Sequence, residues 1–201
     1  MLIERATGNG NGYMKKYEKD LDRQLKLIRS VALFVKRHQA THKLMHRDLH
    51  LGNILYTQYV RPPKPVEFSV SDFGYARITY RSGIALEAPR NGGLYKGANT
   101  IFNPSHDLRM LLASMYKSTY VNDKLRKVLK HMFAPYVQRP DVPFFWSFYQ
   151  HVVVYDDPRF RPDAVLATFT LDGINAVHET LTPERTDSHV ATARQTVAGR
   201  S

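Results

Sequence analysis

The 201 residues are enough for one domain with its own core and too few for two ordinary ones. A content of 43% apolar and 23% charged residues excludes a fibrous or wholly disordered polypeptide, and the lack of cysteine excludes disulfide staples, thiolate catalysis and cysteine-ligated zinc. Against 18 acidic residues stand 29 basic ones, a formal charge of +11 that favours anionic partners such as nucleotide phosphates, acidic peptides or nucleic acid without choosing among them.

The basic residues are spread over several segments rather than gathered into one arm, which reads as solvated helix faces. The longest apolar runs fall well short of a membrane span, and Met1-Leu2-Ile3-Glu4-Arg5 lacks the order of a secretory signal. A soluble intracellular protein, cytoplasmic or nuclear, without a membrane partner is expected. A viral source is compatible with this reading.

In chain order, residues 1–16 read as a hinge-like connector: the end of a strand that breaks into a flexible turn at Gly8-Asn9-Gly10-Asn11-Gly12. From Tyr17 to Gln39 the residues Leu21, Leu25, Ile28, Ala32 and Val35 recur three or four apart, predicting a helix with a wide buried face. Two β-prone pieces, Asn53–Thr57 and Val66–Val70, flank Arg61-Pro62-Pro63-Lys64-Pro65 and predict a hairpin with a proline-rich tip. Helical periodicity returns at Ser105–Tyr120, with Ser105 as the N-cap, and further helices are expected near 123–133, 145–154 and 162–169. The fold class is therefore mainly α with a small β-hairpin, an α+β body over residues 17–175. Residues 176–201 read as a mobile tail, because the stretch from Thr182 has no sustained apolar face.

The segments that carry chemistry are His46-Arg47-Asp48-Leu49-His50-Leu51-Gly52-Asn53 and Ser71-Asp72-Phe73-Gly74. They match H-R-D-L-x-x-x-N followed by D-F-G, in that order and with a hairpin between them. On these residues the chain resembles the C-terminal lobe of a eukaryotic-type protein kinase. Its D-L-H-x-G-N string is also similar to tyrosine-kinase-like kinases and aminoglycoside phosphotransferases. Ser105-His106-Asp107-Leu108 resembles the kinase segment whose buried aspartate anchors the catalytic loop, and Asp156–Pro162 the late Arg-Pro segment of the same lobe.

The resemblance implies ATP-dependent phosphoryl transfer, in which the protein supplies mainly positioning and electrostatics. Asp48 would orient or accept the proton of the acceptor hydroxyl, and Asn53 and Asp72 would hold Mg2+ through oxygen ligands. His46 and Phe73 would pack this core. Arg47 would read the activation segment, where Tyr75, Thr79, Tyr80 and Ser82 offer hydroxyls. Glu4 would lie in the linker that contacts the adenine of ATP. His50 sits where many serine/threonine kinases have a lysine; if it charges on going from about pH 8 to 6.5, the rate would rise over that range.

Three departures accompany the likeness. No V-A-I-K lysine or preceding glycine-rich loop can be placed, since three residues precede Glu4, so the small lobe is expected to be missing; Gly8-x-Gly10-x-Gly12 does not replace it. His50 is the second. The third is that Glu87-Ala88-Pro89 holds the residues of A-P-E in another order, which leaves Arg161 without its expected glutamate and makes Gly92-Gly93-Leu94-Tyr95 a candidate platform. The expected activity is transfer of the ATP γ-phosphate to a hydroxyl-bearing protein substrate, most simply at serine or threonine. The alternative is a catalytically inactive kinase-like binding module in a virion or signalling assembly. A partner chain over the face of the absent lobe fits either. Nucleic acid is not favoured, because Phe144-Phe145-Trp146-Ser147-Phe148-Tyr149 reads as buried packing or a docking patch.

Overall fold

The structure, a computed structural model, describes residues 6–59, 66–79, 85–87, 102–137 and 156–181. In chain order these form β1 (Gly8–Asn9), α1 (Gly10–Lys16), α2 (Leu21–His42), a 3-10 turn (Leu51–Asn53), β2 (Ile54–Thr57), β3 (Glu67–Val70), β4 (Arg77–Thr79) and β5 (Ala85–Glu87). They continue with α3 (His106–Lys117), α4 (Asp123–Val137), a second 3-10 turn (Pro158–Phe160), α5 (Pro162–Thr168) and α6 (Leu171–Leu181). The protein is thus mostly helical with a small antiparallel sheet, the α+β class read from the sequence. None of the described helices is long and apolar enough to cross a membrane.

The connector expected over 1–16 is part of the packed body from Gly8 onward. Gly8 and Asn9 pair with Tyr56 and Leu55, adding β1 to the predicted hairpin in the order β1-β2-β3. Asn9 then caps α1 by accepting the Gly12 N–H at 3.1 Å, and Tyr13 and Met14 on that helix are fully buried. Close approach explains the glycine: a Cβ on Gly10 would lie 2.6 Å from the Leu51 carbonyl oxygen. Within this run it is Gly10 that serves close backbone contact.

Helix α2 begins at Leu21 rather than Tyr17 because Asp20 caps it, accepting the Arg23 N–H at 3.0 Å. Its wide face is buried through Leu25, Leu27, Ile28, Val31, Ala32 and Val35. Gln24 on the same helix is also buried. Its Nε2 lies 2.9, 3.0 and 2.9 Å from the carbonyls of Tyr17, Glu18 and Tyr120, and its Oε1 accepts the Asn122 N–H, tying α2 to the α3–α4 connection. Against α2 pack α3 (Leu108, Leu111, Leu112, Met115) and, beyond it, α4 with Phe133 set 5.1 Å from Phe160.

The hairpin has the register Ile54↔Val70 and Tyr56↔Phe68; its proline-rich tip and the helix expected near 145–154 lie outside the described residues. Residues 176–181 of the expected tail are helical, since α6 continues to Leu181 and packs on α4. The remainder, 182–201, lies outside the described residues.

Gly10→Ala is expected to destabilise the fold by about 1–3 kcal/mol, because the methyl meets backbone that cannot swing away. Gly12→Ala is the control: its Cβ would meet only Asn9 Oδ1 at 3.7 Å, and its helix propensity improves. Urea denaturation of the two variants should separate them in that order.

Candidate active site

The segment between α2 and β2 is held by a single buried carboxylate. Lys43 ends α2 in the left-handed region (φ 47°), and Met45 then bridges to Arg77 through N–H···O bonds of 2.9 and 2.8 Å. The next two backbone N–H groups, of His46 and Arg47, donate to Asp107 Oδ2 and Oδ1 at 2.9 and 3.0 Å. Asp107 sits in the first turn of α3 at 2% exposure. Arg47 needs such a clamp, since its φ of 68° is a strained choice for a residue with a Cβ.

The side chains of the two motifs interlock above this clamp. His46 Nε2–H donates to the Ser71 carbonyl at 2.8 Å, its Nδ1 faces the Asp48 N–H at 3.4 Å, and its ring lies 4.9 Å from that of Phe73. Asn53 Nδ2 donates to the Asp48 carbonyl at 2.8 Å and reaches Asp48 Oδ2 at 3.3 Å. The Asn53 carbonyl in turn accepts the Ser71 N–H at 2.9 Å and its hydroxyl at 3.1 Å. Asp72 follows directly, with φ 60° and an exposed side chain whose Oδ1 lies 3.3 Å from the Gly74 N–H. Asp48 and Asn53 are bonded to each other, and Asp72 is brought to the same end of the hairpin by the Asn53–Ser71 bonds and the β2–β3 ladder. Two of the three non-glycine residues with positive φ among the described residues, Arg47 and Asp72, belong to these motifs.

Asp107 is an ionised group in a dry place. Burial alone would raise its carboxyl, but the contact with His106 (Nδ1 to Oδ1, 3.3 Å) and the two backbone donors outweigh it, leaving the group below the ordinary aspartate value. A carboxylate only accepts, so the proton of His106 lies on Nδ1.

His50 stands at the head of the 3-10 turn. The Gly52 N–H donates to its Nδ1 at 3.0 Å, so its own proton is on Nε2, which lies 3.7 Å from Asp48 Oδ2. Arg161 pairs with its near neighbour Asp156 in place of a distant glutamate. Ser105 precedes α3 without a capping bond of its own to that helix: its hydroxyl donates to Asn103 Oδ1 at 2.8 Å and accepts the Asp157 N–H at 2.9 Å. Glu4, Tyr80, Ser82 and Gly92–Tyr95 lie outside the described residues, as does the side chain of Glu87.

Magnesium coordination by Asn53 and Asp72 would offer two oxygens. Among the described residues no group of three or more His, Cys, Asp or Glu side chains is arranged to hold a metal. Two protein ligands suit a cation that keeps water and phosphate oxygens around it. Asn53 spends its amide N–H on Asp48, which leaves its Oδ1 as the atom able to bind a cation.

Supporting residues escaped the sequence reading. Ser114 on α3 accepts the Leu51 N–H at 3.1 Å, and a Cβ on Gly52 would lie 2.7 Å from the His50 ring. Comparison with protein-family models, with curated proteins and with solved structures finds no match.

Replacing Asp107 by Asn should cost about 3 kcal/mol, because an amide cannot accept both N–H groups and turns a donor toward one of them. The folded carboxyl lies below its unfolded value, so its contribution is present above the unfolded range near ~4 and is lost as pH falls through the lower folded value. Urea titrations from pH 7 to 2.5 should show wild type and D107N converging at the acid end.

Proposed function

We propose that the chain is a phosphotransferase lobe of the protein-kinase type, which moves the γ-phosphate of ATP to a hydroxyl of a protein substrate, most simply a serine or threonine. The observation that carries this reading is the joint anchoring of the loop: Asp107 binds the His46 and Arg47 backbone while Asn53 binds Asp48. The carboxylate of Asp48, at 23% side-chain exposure, is thereby held against the Asn53 amide, and Asp72 follows the Ser71 that the Asn53 carbonyl binds. This arrangement suits a reaction in which the protein contributes position and charge rather than covalent chemistry.

Asp48 would accept the hydrogen bond of the acceptor hydroxyl and take its proton as the new O–P bond forms and the bond to the ADP leaving group breaks. Asn53 and Asp72 would hold Mg2+, which offsets phosphate charge when bound. Arg47 would answer the segment after Asp72-Phe73-Gly74. A glycine-rich loop and a V-A-I-K lysine are not found within these 201 residues; the reading has a partner chain or further sequence contribute their equivalent for full rate, and leaves the chain alone a slow transfer that rests on Asp48, Asn53 and Asp72.

A second reading, a kinase-like binding module without turnover, is favoured by one observation. Phe73 and Tyr75, beside Asp72, are each 42% exposed, an apolar surface suited to a covering partner.

Purified chain assayed with magnesium, radiolabelled ATP and a degenerate serine/threonine peptide library should transfer phosphate. Asp48→Asn and Asp72→Asn should each lower kcat by about 100-fold or more with folding midpoints retained. Equal, background-level transfer in all three proteins, with no magnesium-dependent nucleotide binding, would leave the binding module as the surviving reading.

A further inference from the structure

We infer that His50 is a positioning residue that acts through Asp48, as a neutral imidazole held with its proton on Nε2. The catalytic consequence rests on the phosphotransferase reading; the geometry does not. His50 is extended (φ −129°, ψ 172°) at the start of the 3-10 turn, and the Gly52 N–H fills its Nδ1 lone pair at 3.0 Å. This i to i+2 bond selects the tautomer, because a nitrogen that accepts cannot carry the proton of a neutral ring.

Residue 52 enforces the ring position. A Cβ there would stand 2.7 Å from His50 Cε1 and 2.9 Å from Nδ1, so any residue but glycine would drive the imidazole off the turn. With the ring seated, Nε2–H faces Asp48 Oδ2 at 3.7 Å. That is longer than a hydrogen bond, and it is a contact between an N–H dipole and a carboxylate that shortens with a small ring or carboxylate rotation when substrate closes the site. Asp48 is the charged group in contact with the ring among the described residues.

Two N–H groups therefore converge on one carboxylate oxygen, Asn53 Nδ2 at 3.3 Å and His50 Nε2 at 3.7 Å. The other oxygen, Oδ1, has no bond to a described residue and is the atom left to receive a hydroxyl. His46 repeats the device four residues earlier: its Nδ1 faces the Asp48 N–H at 3.4 Å and its Nε2–H is spent on Ser71. One histidine ties the loop to the D-F-G segment, and the other orients the carboxylate.

Two substitutions separate capping from positioning. His50→Asn keeps an acceptor for the Gly52 N–H, as an Asx turn does, but brings no donor to Asp48. His50→Gln brings a donor to Asp48 without the ring. In the full chain, long-range 15N NMR of the histidines should show His50 with a bare Nδ1 and a protonated Nε2, its signals assigned by their loss in H50N. The side-chain carboxyl 13C resonance of Asp48 should move in H50N and return toward its wild-type position in H50Q. In the transfer assay kcat should fall about tenfold in H50N, the worth of one such contact, with KM within about twofold and the folding midpoint unchanged. H50Q should recover most of that loss.

A proton on Nδ1, or an Asp48 resonance indifferent to both substitutions, overturns the inference. So does a wild-type kcat in H50N. If wild type transfers no phosphate the proposed function fails, while the two NMR signatures still decide the role of His50.

Discussion

A buried carboxylate that accepts two successive backbone N–H groups is the constraint from which the rest of the site follows. Asp107 cannot move without leaving a charge in a dry interior, and the His46–Arg47 backbone cannot move without stranding two donors there. Each side makes departure of the other costly. This is why Arg47 can sit at positive φ and why Asp48, the next residue, emerges at a defined point. The loop is irregular in conformation and rigid in consequence, because its internal bonds are tied through Asp107 to a helix in the core.

Rigidity is passed outward by polar side chains used as cross-links. Asn53 reaches back to Asp48 with its side chain and across to Ser71 with its carbonyl, so the loop, the end of β2 and the residue before Asp72 form one bonded unit. Glycine appears where two of these pieces touch: Gly10 against the Leu51 carbonyl and Gly52 against the His50 ring. Helix α1, with Tyr13 and Met14 in the core, supports the floor of the turn as a result. Lower down, Gln24 plays a comparable part between α2 and the α3–α4 connection.

What could be read in advance follows from whether the cause is local. Apolar spacing along Leu25, Ile28, Ala32 and Val35 encodes α2 directly, and alternating β-prone residues encode the hairpin, so both were legible. Asp107 was legible only through resemblance, since nothing in its immediate neighbours announces a partner 60 residues away. The run Gly8–Gly12 misled for the converse reason: locally it signals a flexible turn, and only contact with Leu51 turns it into a capped helix. Ser105 was read as a cap by residue type, whereas its hydroxyl is drawn to Asn103 and Asp157. Helix α6 runs into residues 176–181 of the expected tail, held to the core by Ile174.

The base of α3 shows how such a site can be braced without the glutamate partner that the resemblance implies for Arg161 and the displaced Glu87-Ala88-Pro89 puts in doubt. Arg161 is satisfied by Asp156 nearby, while the adjoining Asp157 gathers the Tyr136 hydroxyl at 2.5 Å and the Arg159 guanidinium at 2.6 Å. Burial would raise the Asp157 carboxyl, yet the bonds from Arg159 and Tyr136 bring it down to about 2. Tyr136 also receives Arg109, a fully buried arginine on α3 only two residues from Asp107. The first turn of α3 is thereby held from below by a charged and aromatic cluster and from above by the loop that Asp107 clamps. A helix start fixed on both sides places the carboxylate that everything else is hung upon, and the half-exposed Phe73, whose ring lies 4.9 Å from that of His46, marks the outer edge of that frame.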